Sequence, residues 1–338
     1  MKFKLICGPM ATISNPAFRI LLNHFNGCDE YFTEMINAGT LITNGPFEKF
    51  YLNPQPEPDK IVWQLTGKST ELIKKATETI VQLPGIGIDL NMGCSAPDIY
   101  RFGAGIACML KPLSETVELV HTVRKIIDNY NTENNEHKRF SVKYRLGDDD
   151  FTDKKFFDFS DMLVQEGVDL LTLHPRTKKE KLIKTPRYEY CNELSNRYRN
   201  SDVKVYLNGN VKDIISFQNA IEKCPDCDGV MISRAAVSKP WIFSQIKNYI
   251  DNKEINNRTI DLCLLALEYI DNIEKYQPPE FWKTRLQRFF TYYSENFLFS
   301  HFAQTQFLNA KDNDDLRLRI KIFFEKCPEE QYKDVYKL

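Results

Sequence analysis

Residues 167–175 read GVDLLTLHP, a short run with four apolar residues among 168–173, closing on His174 and Pro175. A run too apolar to alternate between a wet face and a dry one is the signature of a strand buried on both faces, as in a parallel sheet covered by helices. Seven more such runs recur along the chain, at 5–11 (LICGPMA), 31–36 (YFTEMI), 60–67 (KIVWQLTG), 87–94 (GIDLNMGC), 139–147 (RFSVKYRLG), 204–210 (KVYLNGN) and 229–235 (GVMISRA). Several of the stretches between them carry helical spacing. From Ser69, which with Thr70 and Glu71 reads as a cap, Leu72, Ala76, Ile80 and Val81 repeat at three- and four-residue intervals. Strand, crossover helix and parallel strand, repeated eight times in about 240 residues, is the size of a (β/α)8 barrel. The expected fold class is therefore α/β, a (β/α)8 TIM barrel; a doubly wound open sheet is the alternative.

Beyond the eighth run, Lys239-Pro240-Trp241-Ile242-Phe243 leads to a polar stretch at 252–258 that reads as a boundary. It divides the chain into a barrel over 1–247 and a second, all-helical domain over 258–338, since everything from Thr259 onward carries helical character. After Pro278-Pro279, residues Trp282, Leu286, Phe289, Phe290, Tyr293 and Phe297 share one face, which is core. Arg285 and Arg288 are expected on the other face, either solvated or against RNA.

The 45 Lys+Arg against 46 Asp+Glu leave a net charge of -1, and from residue 251 onward the balance is 13 to 15. Neither part of the chain is basic, so any surface for a polyanion has to be local. With 42% hydrophobic and 27% charged residues the composition supports a sizeable core. The longest apolar stretches, such as 170–173, fall far short of the roughly 18–20 residues of a membrane span. With no signal-peptide core near Met1, a cytoplasmic protein without a membrane partner is expected. Nine cysteines, an odd number, suit free thiols in a reducing compartment. Cys224 and Cys227 form a lone CxxC with no second pair, so no metal site is expected. Gly67-Lys68-Ser69-Thr70 ends like a phosphate loop, but Val62 stands where that motif needs its first glycine, and no strand leads into G-x-G-x-x-G.

In such a barrel the chemistry sits at the C-terminal strand ends. Here they close on Pro9-Met10-Ala11, Glu34, Gln64, Asn91 with Cys94, Lys143 with Arg145, His174 with Arg176, Asn208-Gly209-Asn210, and Ser233-Arg234. A single Gln or His in such a place is usually just hydrogen-bonded into a loop; all eight ends together point to a site. The last two groups suit a phosphate, which loops after strands seven and eight often bind through backbone N–H groups and a cation. Gly209 permits close backbone approach, and Arg234 or Lys143 could supply the charge. Directly after the sixth strand, residues 176–187 (RTKKEKLIKTPR) hold six Lys or Arg and one Glu, either a solvated loop or a phosphate-binding one.

These residues belong to longer motifs: Gly8-Pro9-Met10-Ala11, Gln64-Leu65-Thr66-Gly67, Asp89-Leu90-Asn91-Met92-Gly93-Cys94, Gly103-Ala104-Gly105, Lys143-Tyr144-Arg145-Leu146-Gly147, Asn208-Gly209-Asn210 and Ser233-Arg234-Ala235-Ala236 followed by Pro240-Trp241-Ile242-Phe243. Together they resemble the tRNA-dihydrouridine synthases over nearly all of residues 5–243; the C-terminal part is similar only in position and helical character. The resemblance implies FMN over the strand ends, with Pro9, Met10 and Gln64 lining the flavin ring and Ala11 beside them. Lys143, His174, Asn208, Asn210, Ser233 and Arg234 would reach the ring edge, the ribityl chain or the phosphate. It further implies NADPH as reductant, entering by the open face of the pocket, and the C5=C6 bond of a tRNA uridine as substrate. Cys94 would protonate C5 and Asn91 would position the uracil. Arg145, Arg176, Lys178 and Lys179 would bind the substrate, the helical domain would recognise the tRNA, and a monomer is expected.

A free thiol with a pKa of about 8.5 is mostly protonated near neutral pH, so Cys94 suits an acid better than a nucleophile. Otherwise it is a small buried hydrophobe at the start of a loop. Its Gly-Cys-Ser-Ala-Pro turn is a mobile place from which a thiol could close over a substrate. Tyr100, Arg101 and Phe102 either support an extruded nucleotide or pack that loop. Three positions depart from the common family pattern: Ser95 follows Cys94, with proline delayed to Pro97; Pro175 replaces a glycine and has no N–H to offer; Ser233 replaces a glycine before Arg234. Two other readings stay open, a flavin reductase of a free pyrimidine similar to the dihydroorotate dehydrogenases, and a non-catalytic RNA-binding barrel.

Overall fold

Eight parallel strands, β1 (Lys4–Cys7), β2 (Glu30–Phe32), β3 (Ile61–Thr66), β4 (Gly87–Met92), β5 (Arg139–Gly147), β6 (Leu170–Thr177), β7 (Lys204–Asn208) and β8 (Gly229–Ile232), follow one another round a closed ring. This is a computed structural model, and it describes residues 3–148, 150–252 and 259–334. Each strand pairs with the next, and Lys4 beside Gly229 through Cys7 beside Ile232 closes the barrel. Helices lie outside: Thr70–Ile80 follows β3, Leu113–Asn134 follows β4 and Asp153–Gln165 follows β5. The chain is thus the α/β barrel that its eight apolar runs predict. Ser69 occupies the N-cap position of Thr70–Ile80 with extended backbone, but its side chain makes no capping bond.

Strand alternation stacks the barrel interior in layers. At the N-terminal end, Glu30 accepts two hydrogen bonds from Arg139, at 3.0 and 2.6 Å, and one from the Tyr206 hydroxyl at 3.0 Å. Above it Ile6, Phe32, Val62, Leu170, Tyr206 and Met231 form a dry layer. The layer above that is polar, with Gln64, Asp89 and Ser141 fully buried. One end of the barrel is therefore plugged by an ion pair and hydrocarbon, and polar chemistry is confined to the other.

Several strands stop before their apolar runs do. β2 ends at Phe32 because Thr33 substitutes its side chain for the ladder: Gln64 N–H donates to Thr33 Oγ1 at 3.0 Å. The chain pairs again only at Ile36–Asn37, beside Leu65 and Thr66. β7 ends at Asn208 because Gly209 and Asn210 take positive φ values of 131° and 56°. β8 ends at Ile232, where Ser233 leads into the short helix Arg234–Ser238.

The C-terminal part contains Leu262–Tyr276, Pro279–Tyr293, Ser300–Leu308 and Asn313–Lys326 as its α-helices. It is not wholly helical: Thr259–Asp261 pairs antiparallel with Tyr332–Asp334 in a small sheet. The expected boundary at 252–258 lies, apart from Asn252, outside the described residues. Aromatic packing fills the helical part, with Tyr269 stacked on Phe289 and Phe297 against Phe323. The expectation for Arg285 is overturned. It lies three residues after Trp282 and four before Phe289, hence on the same helical face, and is 2% exposed, where Nη1 donates to Glu34 Oε2 at 2.7 Å. Glu34 is likewise buried, so this strand end serves the docking of the helical part against the barrel. No helix among the described residues is long and apolar enough to cross a membrane.

Candidate active site

A cavity of about 680 Å³ opens at the C-terminal end of the barrel. Pro9, Met10, Lys143, His174, Asn208, Asn210, Ser233 and Arg234 line it, and so do Cys94 and Arg145. Ala11 is exposed outside the lining, and Gln64 and Asn91 lie in the wall beneath. Six cations, Lys143, Arg145, Lys212, Arg234, Lys239 and Arg288, line the cavity against one carboxylate, Glu295.

The floor explains how Cys94 is held. Gln64 Nε2 donates to Asp89 Oδ2 at 2.7 Å, Ser141 Oγ donates to Asp89 Oδ1 at 2.8 Å, and Asn91 Nδ2 donates to Gln64 Oε1 at 2.9 Å. Asn91 Oδ1 in turn accepts from the Cys94 N–H at 2.8 Å and the Gly93 N–H at 3.2 Å. The Cys94 carbonyl accepts from Ile106 N–H at 3.0 Å. The turn expected to be mobile is thus bonded on both sides of its thiol residue. Gly105, at φ 61°, passes so close that an added Cβ would stand 2.4 Å from the Cys94 carbonyl oxygen, which fixes a glycine there.

Burial sets the electrostatics. It raises the Asp89 carboxyl to about 7, against the lowering by hydrogen bonds from Gln64 and Ser141 and by the charges of Lys143 and Arg139. It lowers the Lys143 ammonium to about 8, helped by Arg145 and opposed by Asp89 and Cys94. Arg145 falls to about 10 through burial and the neighbouring Arg176. His174 is held well below the ordinary imidazole range by burial and then by Arg145, Lys143, Arg176 and Arg234. It is therefore neutral. Arg176 Nη1, which can only donate, lies 3.0 Å from His174 Nε2, so the ring proton sits on Nδ1.

The basic stretch after β6 divides by role. Arg176 is fully buried and absent from the cavity wall; besides His174, it donates from Nε to the Lys184 carbonyl at 2.5 Å. Lys178 donates to Asp148 Oδ2 at 2.8 Å and stands 3.5 Å from the Tyr100 ring centre. Lys179 is exposed. Tyr100 therefore packs the loop after Cys94, donating to the same Asp148 oxygen at 3.0 Å. Pro175, which lacks an N–H, uses its carbonyl to accept from Arg187 N–H at 2.9 Å.

The family model for dihydrouridine synthases matches residues 5–302. This chain belongs to the dihydrouridine synthase family. Among its relatives, a Helicobacter pylori protein named "Probable tRNA-dihydrouridine synthase" is 32% identical over 247 residues, 72% of this chain and 70% of that one. "Probable tRNA-dihydrouridine synthase 2" of Bacillus subtilis is 24% identical over 327 residues, 95% of this chain and 94% of that one. A tRNA-dihydrouridine(47) synthase-like protein of Xenopus tropicalis, whose name carries NAD(P)(+), is 27% identical over 253 residues, 72% of this chain and 36% of that one.

Within this member of the family, sequence reasoning missed two groups. Asp89 and Ser141 anchor the floor, and Asp89 was visible in the same motif as Asn91, two residues away on the inward face of one strand. Tyr292 and Glu295 reach the cavity from the helical part beside Arg288, the residue expected at solvent or RNA, whose guanidinium is 5.3 Å from the Tyr292 ring centre. No signal in the local sequence marks Tyr292 and Glu295 for the site, because their place depends on how Pro279–Tyr293 docks. Cys224 and Cys227 are buried free thiols at the end of Ile214–Lys223, away from the cavity lining. No cluster of three or more His, Cys, Asp or Glu fit to hold a metal ion occurs among the described residues.

Proposed function

We propose that this enzyme reduces the C5=C6 bond of a uridine in tRNA, using FMN and NADPH, with Cys94 as the proton donor. The observation that carries this reading is the cation-lined cavity at the barrel mouth with a thiol fixed in its wall. The donor set fits FMN. Pro9, Met10, Met231 and Ile232 offer an apolar surface for a flat ring, while Asn208, Asn210, Ser233, Arg234 and Lys143 offer donors and charge for a polar chain and its phosphate. FMN, when bound, supplies the hydride equivalent of two electrons and a proton that uracil C6 must receive.

The chain's own residues supply the rest. The Cys94 thiol gives a proton to C5, and Lys143 and Arg145 line the same cavity. Asn91 sets the thiol's position through the Cys94 N–H, and Asp89 sets Asn91 through Gln64. Arg145 fixes the turn from the other side, donating from Nε to the Gly93 carbonyl at 3.0 Å. Arg288 and Tyr292 extend the cavity wall outward, where the tRNA backbone would lie.

The test uses the purified full chain. It is expected to bind FMN, to bleach on addition of NADPH, and to form dihydrouridine in tRNA detected by mass spectrometry. Cys94→Ala should lower the rate on tRNA by about 10²–10⁴-fold, the usual share of a general acid, while leaving bleaching by NADPH intact. A colourless protein that takes up no FMN would overturn the reading, whereas turnover of a free pyrimidine without tRNA would favour the other reductase reading.

A further inference from the structure

Two segments that contribute to the cavity lining also carry large apolar side chains that the core does not use. Ile183 is 85% exposed and Phe102 is 68% exposed. Ile183 stands on the excursion between β6 and helix Tyr188–Arg197, with Lys181 and Lys184 on either side, and its neighbour Leu182 lines the cavity. Phe102 directly follows Arg101, at the end of the short helix Pro97–Arg101 after Cys94. The two segments are clasped together, since Tyr100 from one and Lys178 from the other both donate to Asp148 Oδ2, at 3.0 and 2.8 Å.

The excursion is anchored at its base. Arg176 Nε holds the Lys184 carbonyl at 2.5 Å, and Glu180 Oε2 accepts from Thr177 N–H at 2.7 Å and from Arg187 Nη2 at 3.1 Å. A single exposed apolar residue needs no explanation. Two on clasped segments that each contribute to the lining of one cavity, Ser95 and Ala96 from one and Leu182 from the other, and each with a cation next to it in sequence, form a surface complementary to stacked bases between phosphates.

We propose that Ile183 and Phe102 are wedges that fill the gap in the tRNA left by the extruded uridine, with Lys181, Lys184 and Arg101 on the flanking phosphates. The inference rests on the function proposed above. Taking a base out of a stack costs a few kcal/mol, and apolar side chains inserted between bases hold such distortions open in other nucleic-acid complexes. Here the wedges stand on the segments that also line the cavity that would receive the base.

The test uses a tRNA with 2-aminopurine beside the uridine that the wild-type protein reduces. Wild-type protein should raise its fluorescence on binding. Ile183→Ala and Phe102→Ala should each abolish most of that rise and lower kcat/KM on tRNA roughly tenfold, the scale of a single stacking interaction. FMN content, bleaching by NADPH and thermal midpoint should stay at wild-type values. The same fluorescence rise and the same kcat/KM in both variants would overturn the wedge while leaving the function standing. A wild-type protein that reduces no uridine in tRNA would overturn the function and the wedge with it.

Discussion

Asn91 uses both ends of its amide, one on Gln64 at 2.9 Å and the other on the Cys94 N–H at 2.8 Å, so the position of the cavity thiol is fixed from a fully buried carboxyl through a chain of side-chain amides. The same buried layer governs Lys143. Its ammonium titrates at about 8, lowered chiefly by burial, so it is charged below that pH and neutral above it. An anionic cofactor bound beside it favours the charged form and raises that value. Above pH 8 binding must therefore take up a proton, and FMN affinity should fall by up to about tenfold per pH unit. Calorimetry of FMN binding in two buffers of different ionisation enthalpy checks this, and Lys143→Arg, charged throughout, should abolish both the proton uptake and the slope. At this scale Cys94, Asn91 and Lys143 were legible because motif and strand end coincide. Lys178 was not: charge alone does not tell a phosphate contact from a partner for Asp148 and Tyr100.

Between elements, the join of barrel and helical part rests on a buried ion pair. Arg285 Nη1 reaches Glu34 Oε2 at 2.7 Å, its guanidinium lies 4.9 Å from the Phe281 ring centre, and Glu34 also accepts from the Thr12 N–H in the loop that carries Met10. Removing one partner leaves the other charge buried and unpaired, a loss of about 3–5 kcal/mol. Arg285→Met should therefore lower the thermal midpoint markedly, and Glu34→Gln with Arg285→Met should recover much of it. Differential scanning calorimetry of the single and double variants decides this; equal losses in both would show that the pair does not act as a unit. The strands were legible as elements because both faces of each are buried, and their ends were less so. Side chains such as Thr33 replace ladder bonds, and φ values such as 131° at Gly209 end a strand without any break in hydrophobicity. Arg285 shows the opposite failure: its spacing from Trp282 and Phe289 belongs to the core face, but its charge set it on the other face, against solvent or RNA.

For the whole molecule, a net charge of -1 leaves no general attraction for RNA, so affinity has to come from where cations are placed. Lys212 after β7, Lys239 after β8 and Arg288 from the helical part converge on one cavity mouth although 76 residues separate the first from the last. That convergence was illegible in a sequence whose two parts are each nearly neutral, since only the docking of Pro279–Tyr293 brings Arg288 there. If these three hold tRNA phosphates, each contact releases counterions and contributes to the dependence of log K on log salt. Changing Lys212, Lys239 and Arg288 to Gln together should then weaken tRNA binding at all salt concentrations and flatten that slope by about 3, roughly 1 for each cation neutralised. Filter binding between roughly 50 and 200 mM salt measures it. Lys74→Gln with Lys125→Gln, exposed on the outer helices Thr70–Ile80 and Leu113–Asn134, should leave the slope unchanged. Weaker binding with an unaltered slope in the triple variant would mean that these cations shape the cavity without touching phosphate, and the polyanion would have to be held elsewhere on the barrel mouth.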